Sequence, residues 1–125
     1  MSPLLQQRLY DDFPELFIQK DLPPRQTCMC WGIDCDDGWF KLIYELCFDL
    51  QQHVNEIGSP QVEAGQVKQK LGTLCFYLDN GNDYCFDLTY HYEERSKSVC
   101  EICGKPGKIV NLKGWITPRC PEHST

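Results

Sequence analysis

The chain has 125 residues, enough for one domain with a small core. Hydrophobic residues make up 42% and charged residues 24%, as in ordinary globular proteins, and no apolar run approaches the ~18–20 residues of a membrane span. Twelve basic against eighteen acidic residues leave a net charge of −6, which argues against nonspecific nucleic-acid binding and suits a protein partner or mimicry of nucleic-acid charge.

The start, Met1-Ser-Pro-Leu-Leu-Gln-Gln, lacks the basic opening and apolar stretch of a signal peptide, so a cytoplasmic protein is expected. Nine cysteines cannot all pair internally. In a reducing compartment, Cys-x-x-Cys points to metal before disulfide.

Along the chain, residues 2–17 read as one or two short helical turns. Ser2-Pro3 is a cap with proline at the first helical position, and Asp12-Phe-Pro-Glu15 has capping-box spacing. Pro23-Pro24 marks an extended connection. Asp36 or Asp37 is expected to cap the next helix. From Trp39 onward, Ile43, Leu46, Leu50 and Val54 recur at helical period with Leu42 and Cys47 alongside, and Gly58-Ser-Pro60 closes the element. Residues 66–78 read as one strand, with Leu74, Phe76 and Leu78 alternating, followed by an Asn80-Gly81 turn.

Residues 82–97 carry two patterns. Tyr84, Phe86, Leu88, Tyr90 and Tyr92 alternate as in a hairpin strand, whereas Tyr84, Cys85, Leu88 and Tyr92 would share one helix face. Local evidence alone favours the hairpin.

The strongest chemical signal closes the chain. Cys100, Cys103, Cys120 and His123 read C-x2-C-x16-C-x2-H. Two residues between ligands let a tight turn hold both on one ion, and two such pairs complete a tetrahedron around Zn²⁺. Gly104 follows the second cysteine, where a knuckle turn needs positive φ. Ile109, Val110, Leu112, Trp115 and Ile116 suggest a short hairpin between the two pairs.

Four protein ligands leave no open coordination position, so this zinc is expected to be structural, with no catalytic residue. A redox Cys100/Cys103 pair would want a preceding βαβ pattern. An HNH-type nuclease needs His and acidic groups downstream, yet no His, Asp or Glu lies between Cys103 and Cys120. A zinc deaminase would need His-x-Glu before Pro-Cys-x-x-Cys, and the order here does not fit.

Other residues invite weaker readings. Cys28, Cys30 and Cys35, with Cys47 or His53, could form a second metal site, but packed or surface thiols around Trp31 explain them more simply. Asp34, Asp36, Asp37 and Gly38 resemble part of a calcium loop without its register. His53 and His91 have no local nucleophile context. Lys97, Lys105, Lys108, Lys113 and Arg119 form the one basic cluster, the basis of an alternative nucleic-acid-binding reading.

The segments TCMCWGIDCDDGWFKLIYELC, QVKQKLGTLCFYLDNGNDY and CEICGKPGKIVNLKGWITPRCPEH together resemble a group of small bacteriophage and prophage proteins with a C-terminal Cys3His zinc knuckle and no established activity. The resemblance spans roughly residues 13–123. It implies a helix over 82–97, against the local hairpin pattern, and a phage setting in the host cytoplasm.

These readings predict a small α+β domain over residues 1–125: an α+β body, 1–98, with one long central helix against a short sheet, and a zinc knuckle or ribbon, 99–125. The expected function is non-enzymatic protein binding, to a host or phage protein, as an inhibitor of a host defence system, with nucleic-acid binding as the alternative and a metal-dependent nuclease or hydrolase behind both. The Trp31–Trp39 segment and the aromatic run from Phe76 to Tyr92 are the expected working surfaces.

Overall fold

The computed structural model describes residues 1–125 as an α+β fold with three helices and two small sheets. Helix α1 spans Pro3–Asp12, with Pro3 in its first turn, where a missing N–H costs nothing. The chain turns at Phe13, so Asp12 ends a helix and Asp12–Glu15 does not box the start of one.

Strand β1 is only Ile33–Asp34, and a 3-10 turn, Asp37–Trp39, leads into α2, Phe40–Ile57. Neither Asp36 nor Asp37 caps by its side chain. The Asp37 carboxylate instead accepts from the Ser2 N–H at 2.7 Å. The anticipated stripe Leu42, Ile43, Leu46, Cys47, Leu50 and Val54 is the buried face of α2, and Gly58 ends it in the left-handed region, φ 65°.

The strand expected over 66–78 is a hairpin. Strands β2, Glu63–Lys70, and β3, Thr73–Asp79, pair antiparallel, and β1 adds in parallel to β2. Leu71 (φ 52°) and Gly72 (φ 85°) make the two-residue turn with positive φ at both positions, the geometry that matches strand twist. Lys70 pairs with Thr73 across this turn, so the phase of the alternation shifts by one residue, and Val67, Leu74 and Phe76 all reach the core from one sheet face.

Residues 82–97 contain helix α3, Asp83–Ser96, and no hairpin. The Asn82 side chain accepts from the Cys85 N–H at 3.0 Å, capping the start. Its buried positions Cys85, Thr89, Tyr92 and Ser96 recur at helical spacing, while Tyr84 points outward. Helix α3 runs against β3 and satisfies its free edge: Ser96 Oγ accepts from the Leu74 N–H and Glu93 Oε2 from the Phe76 N–H, both at 2.9 Å. That covering removes an exposed strand edge. Burial raises the Glu93 carboxyl, and the bond from Phe76 opposes the rise.

The anticipated ribbon hairpin forms from β4, Lys108–Leu112, and β5, Trp115–Arg119, around Lys113-Gly114. One apolar cluster joins α1, the buried face of α2, the inner sheet face and α3, with Trp39, Phe17 and Leu46 fully buried in it.

Candidate metal centre

The four expected ligands meet. The donor atoms of Cys100, Cys103, Cys120 and His123 all lie within 4.8 Å of one another. Cys103 Sγ is 3.6 Å from Cys120 Sγ, and His123 Nδ1 is 3.7 Å from Cys100 Sγ and 3.2 Å from Cys120 Sγ. A tetrahedral ion with N and S ligands requires edges of about 3.5–3.8 Å; the 3.6 and 3.7 Å separations match this, the 3.2 Å one is shorter, and the set is close enough together to hold one metal ion with Nδ1 of the histidine among the sulfurs.

Local backbone geometry builds this set. The Cys100 N–H donates to the Lys105 carbonyl at 2.8 Å, and the Gly104 N–H donates to the Cys100 carbonyl at 2.9 Å, closing the first knuckle. Gly104 has the anticipated positive φ, 81°. A 3-10 turn, Pro121–His123, brings His123 back beside Cys120. The β4–β5 hairpin carries the chain from Cys103 out and back to Cys120, and the Gly107 N–H binds the Ser98 carbonyl at 2.9 Å.

The electrostatics prepare a thiolate. Burial raises the Cys100 thiol, but the N–H groups of Cys120, Cys103 and Ile102 and the Cys103 side chain converge on its sulfur, and the balance brings it down to about 6. At Cys103 the Lys105 N–H favours the thiolate, yet burial and the sulfurs of Cys120 and Cys100 leave the thiol raised.

The residue between the first two ligands was not singled out by sequence. Glu101 is almost completely buried, and its carboxylate accepts from Thr117 Oγ1 at 2.7 Å, from the Asp36 N–H at 3.0 Å and from Gln69 Nε2 at 3.2 Å. Its backbone is held too: the Gly38 N–H donates to its carbonyl at 2.7 Å, and its own N–H donates to Pro118 at 2.9 Å. Glu101 therefore ties the knuckle to the segment before α2, to β2 and to β5. Three donors compensate a charge that would otherwise be expensive to bury.

Gly38 explains much of the Asp36–Trp39 segment. A Cβ there would collide with the carbonyl oxygen of Cys100 and lie 2.5 Å from the carbonyl carbon and oxygen of Glu101. Trp39, fully buried, donates from Nε1 to the Val99 carbonyl at 2.9 Å. Of the Trp31–Trp39 stretch, expected as a working surface, residues 36–39 cradle the knuckle, while Trp31, Asp34, Asp36 and Asp37 have exposed side chains. A pattern of Gly-Trp before an amphipathic helix carried that signal, but its partner lies sixty residues away.

The other candidates do not assemble. Cys28 is exposed, Cys30 half-buried and Cys35 buried with its thiol raised by burial, and these three form no ligand group with Cys47 or His53. Cys47 sits in the core of α2, its thiol raised by burial. His53 stacks on Tyr84, ring centroids 4.1 Å apart, and meets the Asn82 amide at 3.1 Å. Asp34, Asp36 and Asp37 do not converge on a common point for a cation. The basic cluster is partly spent: Lys97 pairs with Glu94 at 3.1 Å and Lys105 with Glu122 at 3.5 Å.

No helix is long and apolar enough to cross a membrane. No family model, curated protein or solved structure matches the chain.

Proposed function

We propose that the protein is a non-enzymatic binding protein whose Cys100, Cys103, Cys120 and His123 hold a structural Zn²⁺. Three thiolates and one imidazole in a tetrahedral arrangement suit zinc above the hard cations. The observation that carries the non-catalytic reading is Glu101. It is one of two acids that adjoin a ligand in sequence, the other, Glu122, being paired with Lys105 at 3.5 Å, and a general base must be free to take a proton from water. The Glu101 carboxylate is instead buried and occupied by three donors. The histidines outside the metal set, His53 and His91, sit on α2 and α3 beside tyrosines.

Helix α3 supports protein binding. Phe86 and Tyr90 are half exposed one turn apart, flanked by the exposed carboxylates of Asp83, Asp87 and Glu94. Aromatic anchors inside a charged rim are the common composition of a binding hot spot, and this rim favours a basic partner. The resemblance to phage proteins makes the partner a host or phage protein in the host cytoplasm, and inhibition of a host defence system the role we assign.

The test is affinity capture from bacterial lysate with the zinc-loaded chain, beside a Phe86→Ala/Tyr90→Ala variant of equal metal content. We expect a partner that the wild type retains and the variant loses. Equal capture by both, or none above background, would reject this surface as the working one.

A further inference from the structure

The solvent face of α2 carries an inference that does not rest on the α3 proposal. Beside it, where α1 ends and the chain turns at Phe13, lies a cleft of about 810 Å³. Phe13, Tyr44 and Phe48 supply its rings, and Asp11, Asp12 and Glu56 its charges. No lysine or arginine lines it. An adjoining hollow adds Glu15 to the same edge of the molecule.

The aromatic wall is held in place. Tyr44 packs edge-on against Phe13, ring centroids 4.9 Å apart, and its hydroxyl donates to Asp12 at 2.7 Å. Phe48 follows one turn later on α2, so its ring continues the same side of the helix, and it is 53% exposed.

The chain itself shows which group this surface accepts. The Arg8 guanidinium lies 5.8 Å from the centre of the Tyr44 ring and 3.6 Å from Asp12. A planar cation over a ring and beside a carboxylate is satisfied twice, by the negative face of the ring and by the charge. Phe48, Asp11 and Glu56 present the same two elements without a cation. Asp11 accepts only from the Gln7 amide at 2.8 Å, Glu56 only from the Gln52 amide at 3.2 Å, and neither joins an ion pair. Four carboxylates, Asp11, Asp12, Glu15 and Glu56, against the single guanidinium of Arg8 leave this edge at −3, half of the net charge of −6.

That charge decides what kind of molecule fits. Nucleic acid and an anionic membrane are repelled, and a second copy of the chain brings another −6. A basic segment is attracted. The volume lies within the roughly 300–1,000 Å³ common for ligand clefts.

We infer that this cleft docks an arginine-bearing basic segment of a partner protein, with a guanidinium on the Phe48 ring and within reach of the Asp11 and Glu56 carboxylates. Arginine is favoured over lysine because its planar fork takes a carboxylate bidentately while its face lies on the ring. The carboxylates border solvent, so binding weakens as salt screens them.

The test is fluorescence anisotropy of fluorescein-labelled tetra-arginine with the zinc-loaded full chain at low salt, beside tetra-lysine of equal charge. Tetra-arginine should bind more tightly. Phe48→Ala leaves the net charge unchanged at a half-exposed helical position, where alanine is the better helix former. It should weaken tetra-arginine binding about fivefold, as for one cation–π contact. Glu56→Gln should weaken it about threefold, as for one solvent-bordered ion pair. Asp34→Asn removes the same charge from β1, outside the cleft, and should leave affinity as in the wild type. The Phe86→Ala/Tyr90→Ala variant should do so too, which separates this cleft from the α3 surface. Circular dichroism checks that every variant keeps its helices. Four outcomes would overturn the assignment: equal affinity for the two peptides, wild-type binding by Phe48→Ala, equal losses in Glu56→Gln and Asp34→Asn, or loss of tetra-arginine in the α3 variant.

Discussion

Between Leu9 and Tyr92, 22 buried residues form one apolar cluster, and none of them comes from beyond Tyr92. From Cys100 onward the groups most deeply buried are two thiols, the Glu101 carboxylate and the Thr117 hydroxyl. The body is held by burial of hydrocarbon, whereas the knuckle has too little of it and relies on hydrogen bonds and on the four side chains that could hold a metal ion. The lesson concerns how failure is divided. Loss of core packing threatens the body first, and loss of the ion threatens only the knuckle and its cradle.

The largest effect should come from breaking the knuckle alone. Structural zinc sites contribute about 10–16 kcal/mol in isolated fingers, far more than any hydrogen bond in this ribbon. Cys120→Ser should abolish stoichiometric zinc in metal analysis of the purified protein, while far-UV circular dichroism keeps the signal of α2 and α3. The opposite break is Leu46→Ala, at a fully buried position of α2. It should cost about 2–5 kcal/mol in chemical denaturation and leave zinc content at one per chain.

The seam between the regions should respond in an intermediate way. Glu101→Ala leaves the Asp36 N–H and the Thr117 hydroxyl without their acceptor, at a cost of about 2–4 kcal/mol. Its signature should be faster zinc transfer to a chelator, which Leu46→Ala should not produce. The smallest effect belongs to the α2–α3 contact in the body, where Tyr92 donates to Asp49 at 2.5 Å. Tyr92→Phe should cost about 1–2 kcal/mol at neutral pH.

Burial, reinforced by Asp49, pushes the Tyr92 hydroxyl up to about 12 from the usual 10.0. The folded state thus favours the neutral phenol, and its contribution is complete below pH 10 and lost as pH rises through 12. Denaturation midpoints of wild type and Tyr92→Phe should converge over that window.

What could be read from sequence depended on the range of the interaction. The α2 stripe, the ribbon hairpin and the Cys3His set are local patterns, and each appears where its spacing placed it. The Leu71-Gly72 turn escaped because leucine is a poor signal for positive φ and because Lys68-Gln69-Lys70 before it carry no apolar alternation whose change of phase could mark the turn. For residues 82–97, alternating aromatics imitated a strand, but three of the four, Tyr84, Phe86 and Tyr90, lie on the solvent side of α3. The helix face is set by Cys85, Thr89 and Ser96, small residues that carry little periodic weight. The contact between Glu101 and Gly38 escaped for a different reason. A charged residue between two ligands reads as surface, and Gly38 beside three aspartates reads as part of a calcium-like loop, until tertiary contact brings one against the other.

Hydrogen–deuterium exchange on the zinc-loaded and the metal-stripped full-length chain tests this division most directly. Removal of zinc should abolish protection across residues 99–125 and weaken it at residues 36–39, while residues 40–57, 63–79 and 83–96 keep theirs. Unchanged protection in the stripped knuckle, or loss of protection throughout the body, would contradict it.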